Sequence, residues 1–335
     1  MRRREFLQAA GAAGFAAAVG TSNQAAAADK PVANQPAAEK AVTVRQTASD
    51  RFVLDFKPAT PRPLRVLQFT DTHFGTADIL AKVQDKRTFT EMQRLVKLHQ
   101  PDFIVHTGDF INNDQGPKTS FEAIEVFDSL GVPWTHALGN HDIGARSVPE
   151  FRQPMKHASV GEFKVGDATE YAFRFDVVTS GSSDPAYSLF CFDSGAQDPN
   201  RRVSRPQLDW FEGQMKHDAK EGIKTPALAM IHIPIVEFNK LQSAQLHKGH
   251  FGESVCFDND TGDTFSAFKK SARVKGVFSG HDHKNDYAGV WEGIELVYGR
   301  VSGWHAYGDL RRGGRMIEID LPTQSFSHRL VYPEA

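Results

Sequence analysis

Five short apolar runs, each halting at a cluster of aspartate, asparagine or histidine, constrain this chain more than any other feature. Leu64, Val66, Leu67 and Phe69 lead into Asp71, Thr72 and His73. Phe103, Ile104 and Val105 lead into His106, Thr107, Gly108 and Asp109. Val132, Trp134, Ala137 and Leu138 lead into Gly139, Asn140, His141 and Asp142. The run 227–231 stops at His232 and Pro234, and 274–278 stops before Gly280, His281, Asp282 and His283. Apolar runs of about five residues read as buried strands. Helical patterns lie between several of them. Phe89, Met92, Leu95 and Val96 share a face over 88–98, and a capping box at 119–122 opens a helix carrying Ile124, Phe127 and Leu130 to Gly131. Ser204, Pro206 and Gln207 open another, with Leu208, Phe211 and Met215 in step. Strands alternating with helices imply a layered α/β core, whose ligands gather at the carboxyl ends of the strands. That edge would bring together Asp71, His73, Asp109, Asn140, His232, His281 and His283.

Carboxylate, amide and imidazole donors without thiolate suit manganese, iron or zinc. The two cysteines, Cys191 and Cys256, are too few for a thiolate cage or a disulfide framework, and whether they pair stays open. Seven donors exceed one tetrahedral zinc and suit two ions sharing a carboxylate. Paired ions serve chemistry in which charge builds on oxygens, phosphoryl transfer above all. A formal charge of -2 shows no basic excess and argues against a nucleic-acid partner.

In this order and after these runs, Asp71-Thr72-His73, Gly108-Asp109, Gly139-Asn140-His141-Asp142, His232 with Pro234, and Gly280-His281-Asp282-His283 resemble the calcineurin-like metallophosphoesterases. The likeness covers roughly residues 62–320, and the last block is most similar to a branch close to the purple acid phosphatases. It implies an αββα sandwich, two mixed sheets flanked by helices. It also implies two divalent ions, manganese, iron or zinc, with Asp71, His73, Asp109 and His283 on one and Asp109, Asn140, His232 and His281 on the other. A hydroxide held between the ions would attack phosphorus. His141 would contact the phosphate and help protonate the leaving group, while Asp142 would orient the His141 imidazole. Purple acid phosphatases carry a tyrosine ligand three residues after the bridging aspartate. This chain has Asn112 there, and His73 where the purple enzymes have glycine, so it should lack their tyrosinate colour.

The first residues read as an address. Arg2, Arg3, Arg4, Phe6 and Leu7 precede an Ala/Gly-rich stretch over 9–20 and small residues at 25–28, the pattern of a twin-arginine export leader covering 1–28. The stretch is too short to span a bilayer, so no permanent membrane anchor is expected. Residues 29–61 read as a disordered tether with an edge strand or two over 42–56, and 62–335 as the metallophosphoesterase domain. The expected partners are therefore a small phosphorylated substrate and the twin-arginine export machinery, and the expected location is periplasmic or secreted.

The leading function is a two-metal phosphomonoesterase. A phosphodiesterase acting on nucleotides or lipid head groups would use every one of the same residues, and a metal- or phosphate-binding protein without turnover is the reading from another class. Arg300 and His305 are candidate substrate contacts. The stretch 237–263 reads as a long loop, lid or solvated insertion, and Arg311, Arg312 and Arg315 as a charged hairpin.

Overall fold

A computed structural model of the chain describes residues 41–75, 79–112, 117–142, 172–179, 182, 184–194 and 201–334. The leader at 1–28 and the tether at 29–40 lie outside the described residues. The runs that halt at polar clusters are strands. They are β3 (Leu64–Phe69), β4 (Phe103–His106), β5 (Trp134–His136), β8 (Ala227–Met230) and β10 (Val274–Ser279). The remaining strands are β1 (Val42–Ala48), β2 (Arg51–Phe56), β6 (Ala172–Thr179), β7 (Tyr187–Phe192), β9 (His247–Lys248), β11 (Ala288–Trp291), β12 (Ile294–Tyr298), β13 (Gly314–Asp320) and β14 (Ser325–Val331). The helices are α1 (Ile79–His99), α2 (Pro117–Ser129), α3 (Arg205–Lys220), α4 (Glu237–Ser243) and α5 (Asp263–Ser271).

Two mixed sheets result. One runs β1-β2-β6-β7-β8-β10-β12-β11-β9 and the other β14-β13-β3-β4-β5. The five motif strands divide between them. β3, β4 and β5 pair in parallel in the smaller sheet, and β8 and β10 pair in parallel in the larger. Buried side chains from both sheets, among them Val66, Phe103, Ile317, Phe175, Leu228 and Phe278, share one core cluster, so the sheets face each other. Phe89, Met92, Ile124 and Phe127 cover the outer side of the smaller sheet from α1 and α2. Leu208, Phe211, Phe265 and Phe268 cover the larger sheet from α3 and α5. Burying each such side chain contributes about 1.5–3 kcal/mol, and this burial sets the layer order of helix, sheet, sheet, helix.

Three boundaries differ from the sequence reading. The β1–β2 hairpin joins the larger sheet because β2 pairs in parallel with β6, so the compact unit spans Lys40–Ala335 rather than starting at 62. Helix α2 begins at Pro117, before the presumed capping box. The supposed loop over 237–263 carries α4 and β9, since Phe238 and Leu241 are fully buried and pull the chain onto the core. At α3 the reading and the structure agree. Ser204 is the N-cap, and its backbone N–H donates to Gln207 Oε1 at 2.8 Å. Among the described residues no helix is long and apolar enough to cross a membrane.

Candidate metal centre

The two sheets approach each other at the carboxyl ends of the motif strands, and glycine permits the closeness. A Cβ added at Gly280, just after β10, would lie 1.9 Å from Thr70 Oγ1 at the end of β3. Gly108 adopts φ +87, and a Cβ there would lie 2.4 Å from the His232 ring. The residues that follow pay in backbone strain. Asp71, His73, Asp109 and His281 all have positive φ, between 46 and 81, a region costing roughly 1–3 kcal/mol per non-glycine residue. Only the packed surroundings hold four strained residues at one spot.

What they build is a tight Asp/His cluster. Asp71, His73, Asp109 and His283 each offer a ligand atom within 4.8 Å of the others, and Asp109, His232 and His281 form a second such group. His283 Nε2 lies 3.2 Å from Asp71 Oδ1, and His73 Nε2 lies 3.5 Å from Asp109 Oδ2. On the other side of Asp109, His232 Nε2 lies 3.1 Å from Oδ1. The carboxylate of Asp109 thus serves both groups. His73 Nε2 faces His283 Nε2 at 3.2 Å, and His281 Nδ1 faces His232 Nε2 at 3.3 Å. Imidazole lone pairs do not face each other at that range without a proton or a cation between them. Asn140 Oδ1 is also buried without a hydrogen-bond partner among the described residues. These donors suit a divalent metal ion.

Electrostatics agree. Burial alone would raise the Asp71 and Asp109 carboxyls, but the imidazoles beside them, His283 and His232 above all, hold both below the usual carboxylate range. Burial lowers His73 to about 4 and His281 to about 3, so both stay neutral at pH 7. Burial also works to lower His232, yet the Asp109 and Asp71 carboxylates outweigh it and push the imidazole up to about 10. A cation entering this group must therefore expel the His232 proton. Its affinity should rise with pH up to the His232 value, and about one proton should be released per chain at neutral pH. Titration calorimetry in buffers of differing protonation enthalpy reads this directly, and a buffer-independent heat would contradict it.

Outer partners orient the donors. His232 Nδ1 sits 2.8 Å from Thr107 O, which turns Nε2 toward Asp109. Thr70 Oγ1 donates to Asp71 Oδ2 at 2.8 Å. Asp142 departs from expectation. Its carboxylate accepts the N–H groups of Phe110, Ile111 and Gly139 at 2.8–3.0 Å, so it clamps the Asp109 loop to the Asn140 loop instead of reaching the His141 ring. The His141 ring lies edge-on to His73, with Nε2 4.0 Å from Asp109 Oδ2, and its own backbone N–H donates to Asp109 Oδ1 at 2.9 Å.

A cavity of about 370 Å³ opens over the cluster. His141, His305 and Tyr307 line it together with donor residues. Arg300 is not in that lining. It is 6% exposed, and its Nη1 and Nη2 bind Asp286 and the Tyr332 hydroxyl, which gives it a structural place. The presumed charged hairpin is also mostly interior, for Arg312 and Arg315 are 3% and 4% exposed. Arg312 donates to Gly303 O and Ala306 O, at 2.8 and 2.6 Å, and so holds the loop that presents His305 and Tyr307. Tyr307 itself stacks on His283 with ring centroids 3.9 Å apart. No residue pattern in the chain marks that stacking in advance.

Residues 64–285 match the family described as calcineurin-like phosphoesterase. The chain belongs to that family. Among curated proteins it is 29% identical over 299 residues to "Probable inactive purple acid phosphatase 28" of Arabidopsis thaliana, covering 77% of this chain and 75% of that one. A second Arabidopsis protein, "Probable inactive purple acid phosphatase 29", is 29% identical over 301 residues, with 77% of each chain covered. A dimetal phosphatase from Danio rerio shares the fold, with a TM-score of 0.51 at 13% identity, over 77% of this chain and 96% of that one.

Within this calcineurin-like frame, Asn112 has a definite task. Its Oδ1 lies 3.0 Å from His73 Nδ1, so the ring donates there and turns Nε2 inward to the donor cluster. Asn112, three residues after Asp109, thus orients a histidine of the donor cluster. Asn112→Leu should weaken metal binding by roughly 10–100-fold. Equilibrium dialysis with metal analysis checks this, and unchanged affinity would show that His73 needs no such partner.

Proposed function

We propose that the chain is a phosphomonoesterase working with two divalent ions, manganese, iron or zinc, one on each group that shares Asp109. The observation that carries the reading is the Asp109 carboxylate, whose two oxygens face His73 on one side and His232 on the other. Asp71, His73, Asp109 and His283 would hold one ion, and Asp109, Asn140, His232 and His281 the other. Bound there, such ions neutralise phosphate oxygens and acidify water.

The chain's own residues do the rest. The buried cluster excludes bulk solvent, so charge there is felt strongly. His141, a third of its side chain exposed, lines the cavity with Nε2 4.0 Å from Asp109 Oδ2, and it would act as the acid that protonates the leaving alkoxide. Its backbone N–H donates to Asp109 Oδ1, which holds this residue beside the donor cluster. His305 lines the same cavity and is available to the ester from another side.

Hydrolysis of an activated aryl phosphate monoester, measured beside the matching diester after chelation and reloading with each metal, tests the proposal. Metal-dependent monoester turnover is expected, while a diester preference would favour a phosphodiesterase. His141→Ala should lower turnover of esters with poor leaving groups by about 100-fold or more and spare activated aryl esters. An equal loss on both would remove His141 as the acid. The names of the Arabidopsis relatives favour a second reading, a metal-binding protein without turnover. Two bound ions with no hydrolysis of either ester would support it.

The leader over 1–28 supports export by the twin-arginine machinery and a periplasmic or secreted location. Cell fractionation that recovers the protein only from the cytoplasm would overturn this.

A further inference from the structure

A third group of ligating side chains adjoins the centre. Cys256, His281 and Asp282 each offer a ligand atom, and these atoms lie within 4.8 Å of one another. All three line the cavity. Neither cysteine is in a disulfide, and Cys256 is the exposed one, while Cys191 is fully buried in β7. The arrangement is built rather than incidental. Asp282 is 5% exposed, and its Oδ2 accepts the Tyr298 hydroxyl at 2.6 Å and the Cys256 backbone N–H at 3.1 Å. Asp282 therefore anchors the backbone that carries the thiol. Both of these hydrogen bonds end on Oδ2. The nearby chain is pinned as well, since Asn285 Oδ1 accepts the N–H groups of Gly252 and Glu253 at 2.9 and 3.2 Å. The thiol's own hydrogen-bond contact, to Asp258 Oδ1 at 3.5 Å, is long and easily exchanged for a metal.

Thiolate, imidazole and carboxylate with one open position form a donor set for zinc and softer ions, in contrast to the thiolate-free cluster beside it. His281 belongs to both. We propose that Cys256, His281 and Asp282 form an alternative site for a thiophilic divalent cation of the zinc or cadmium class, whose occupation withdraws His281 from the Asp109–His232 group. The two sites compete, because a neutral imidazole offers one nitrogen lone pair and His281 could hold two cations only by also losing its second N–H proton. Excess soft cation then acts as an inhibitor by displacing the ion at the second catalytic position. This competition rests on the two-ion reading of the main centre. The existence of the thiolate site does not.

Cadmium chloride titrated into the purified full chain tests both parts without any substrate. In metal-stripped protein, a thiolate-to-cadmium absorption in the ultraviolet should saturate at one ion per chain. Cys256→Ser and Cys256→Ala should abolish the band and weaken the binding of that ion by at least an order of magnitude, while Cys191→Ser keeps both. In manganese-loaded protein, each cadmium bound through the band should release one manganese. A band that persists without Cys256, or no band in the unaltered chain, overturns the site. A band that grows without manganese release overturns the shared role of His281. Absence of hydrolytic activity would count against the proposed function and leave these readouts intact.

Discussion

Asp109→Asn is expected to strip the protein of metal and to lower kcat/KM on a phosphate monoester by roughly a thousand-fold, the equivalent of several kcal/mol of lost charge stabilisation. Asp109 is 1% exposed and is the residue common to both ligand groups. Its two oxygens stand within 3.5 Å of His73 Nε2 and His232 Nε2. An amide presents one neutral oxygen in their place, and its NH₂ group turns toward an imidazole lone pair. The Asp109 charge is also the main influence raising His232, so the substitution lets burial return that imidazole toward its neutral form. Metal analysis separates the consequences. Loss of both ions together with activity fits a shared carboxylate. Retention of both ions with full activity would refute the two-ion assignment.

The second large effect lies far from the cluster in role. Asp218→Asn should lower unfolding stability by about 3–5 kcal/mol, because it breaks a buried ion-pair network and leaves guanidinium charge uncompensated. Asp218, on α3, is fully buried and takes Arg174 Nη1 of β6 at 2.7 Å on Oδ2, the same oxygen that Arg273 reaches from just before β10. Arg174 also binds Asp176 at 2.9 Å, and Arg273 donates to Ser188 Oγ at 3.1 Å. The network ties the helix to three strands of the larger sheet. With the carboxylate gone, Arg273 loses its ion-pair partner and Arg174 keeps only Asp176, which Arg51 of β2 also approaches at 3.9 Å. Denaturant unfolding followed by circular dichroism reads the loss, and a change under about 1 kcal/mol would mean that water compensates these charges. Metal content should be retained in this variant, which separates it cleanly from Asp109→Asn.

How much of this was legible in the chain depends on the range of the interaction concerned. The strand runs were visible because burial demands apolar side chains, and Val66, Ile104, Ala229 and Val277 are all fully buried. Ser204 and Gln207 declared the start of α3, since a cap is made by neighbours in sequence. The start of α2 at Pro117 was less clear because a capping box is only one way to begin a helix. The stretch 237–263 looked loop-like from its polar residues, yet Phe238 and Leu241 were enough to hold α4 on the core. Arg300 was a candidate substrate contact in the sequence. Only the position of Asp286 and Tyr332 reveals that its charge is already used.

The identity of the donors was written in the sequence, because a carboxylate or imidazole at the end of an apolar run brings its chemistry with it. Asp71, His73, Asp109, His232, His281 and His283 stand at the ends of apolar runs and were singled out by the resemblance those blocks carry, and they do converge. Only the tertiary structure decided how each is aimed. The motif strands are split three and two between facing sheets, and the approach of Gly280 to Thr70 brings one sheet's ligands into the other's. Lateral pairing of β3, β4 and β5 within the smaller sheet gives Asn112 to His73 and gives Asp142 to three backbone amides rather than to His141, while the chain between β9 and α5 of the larger sheet sets Cys256 beside His281. Hydrogen bonds and metal bonds act over about 3 Å, so residues that lie far apart in the chain and meet only through strand pairing and sheet packing leave no local pattern to be read in advance.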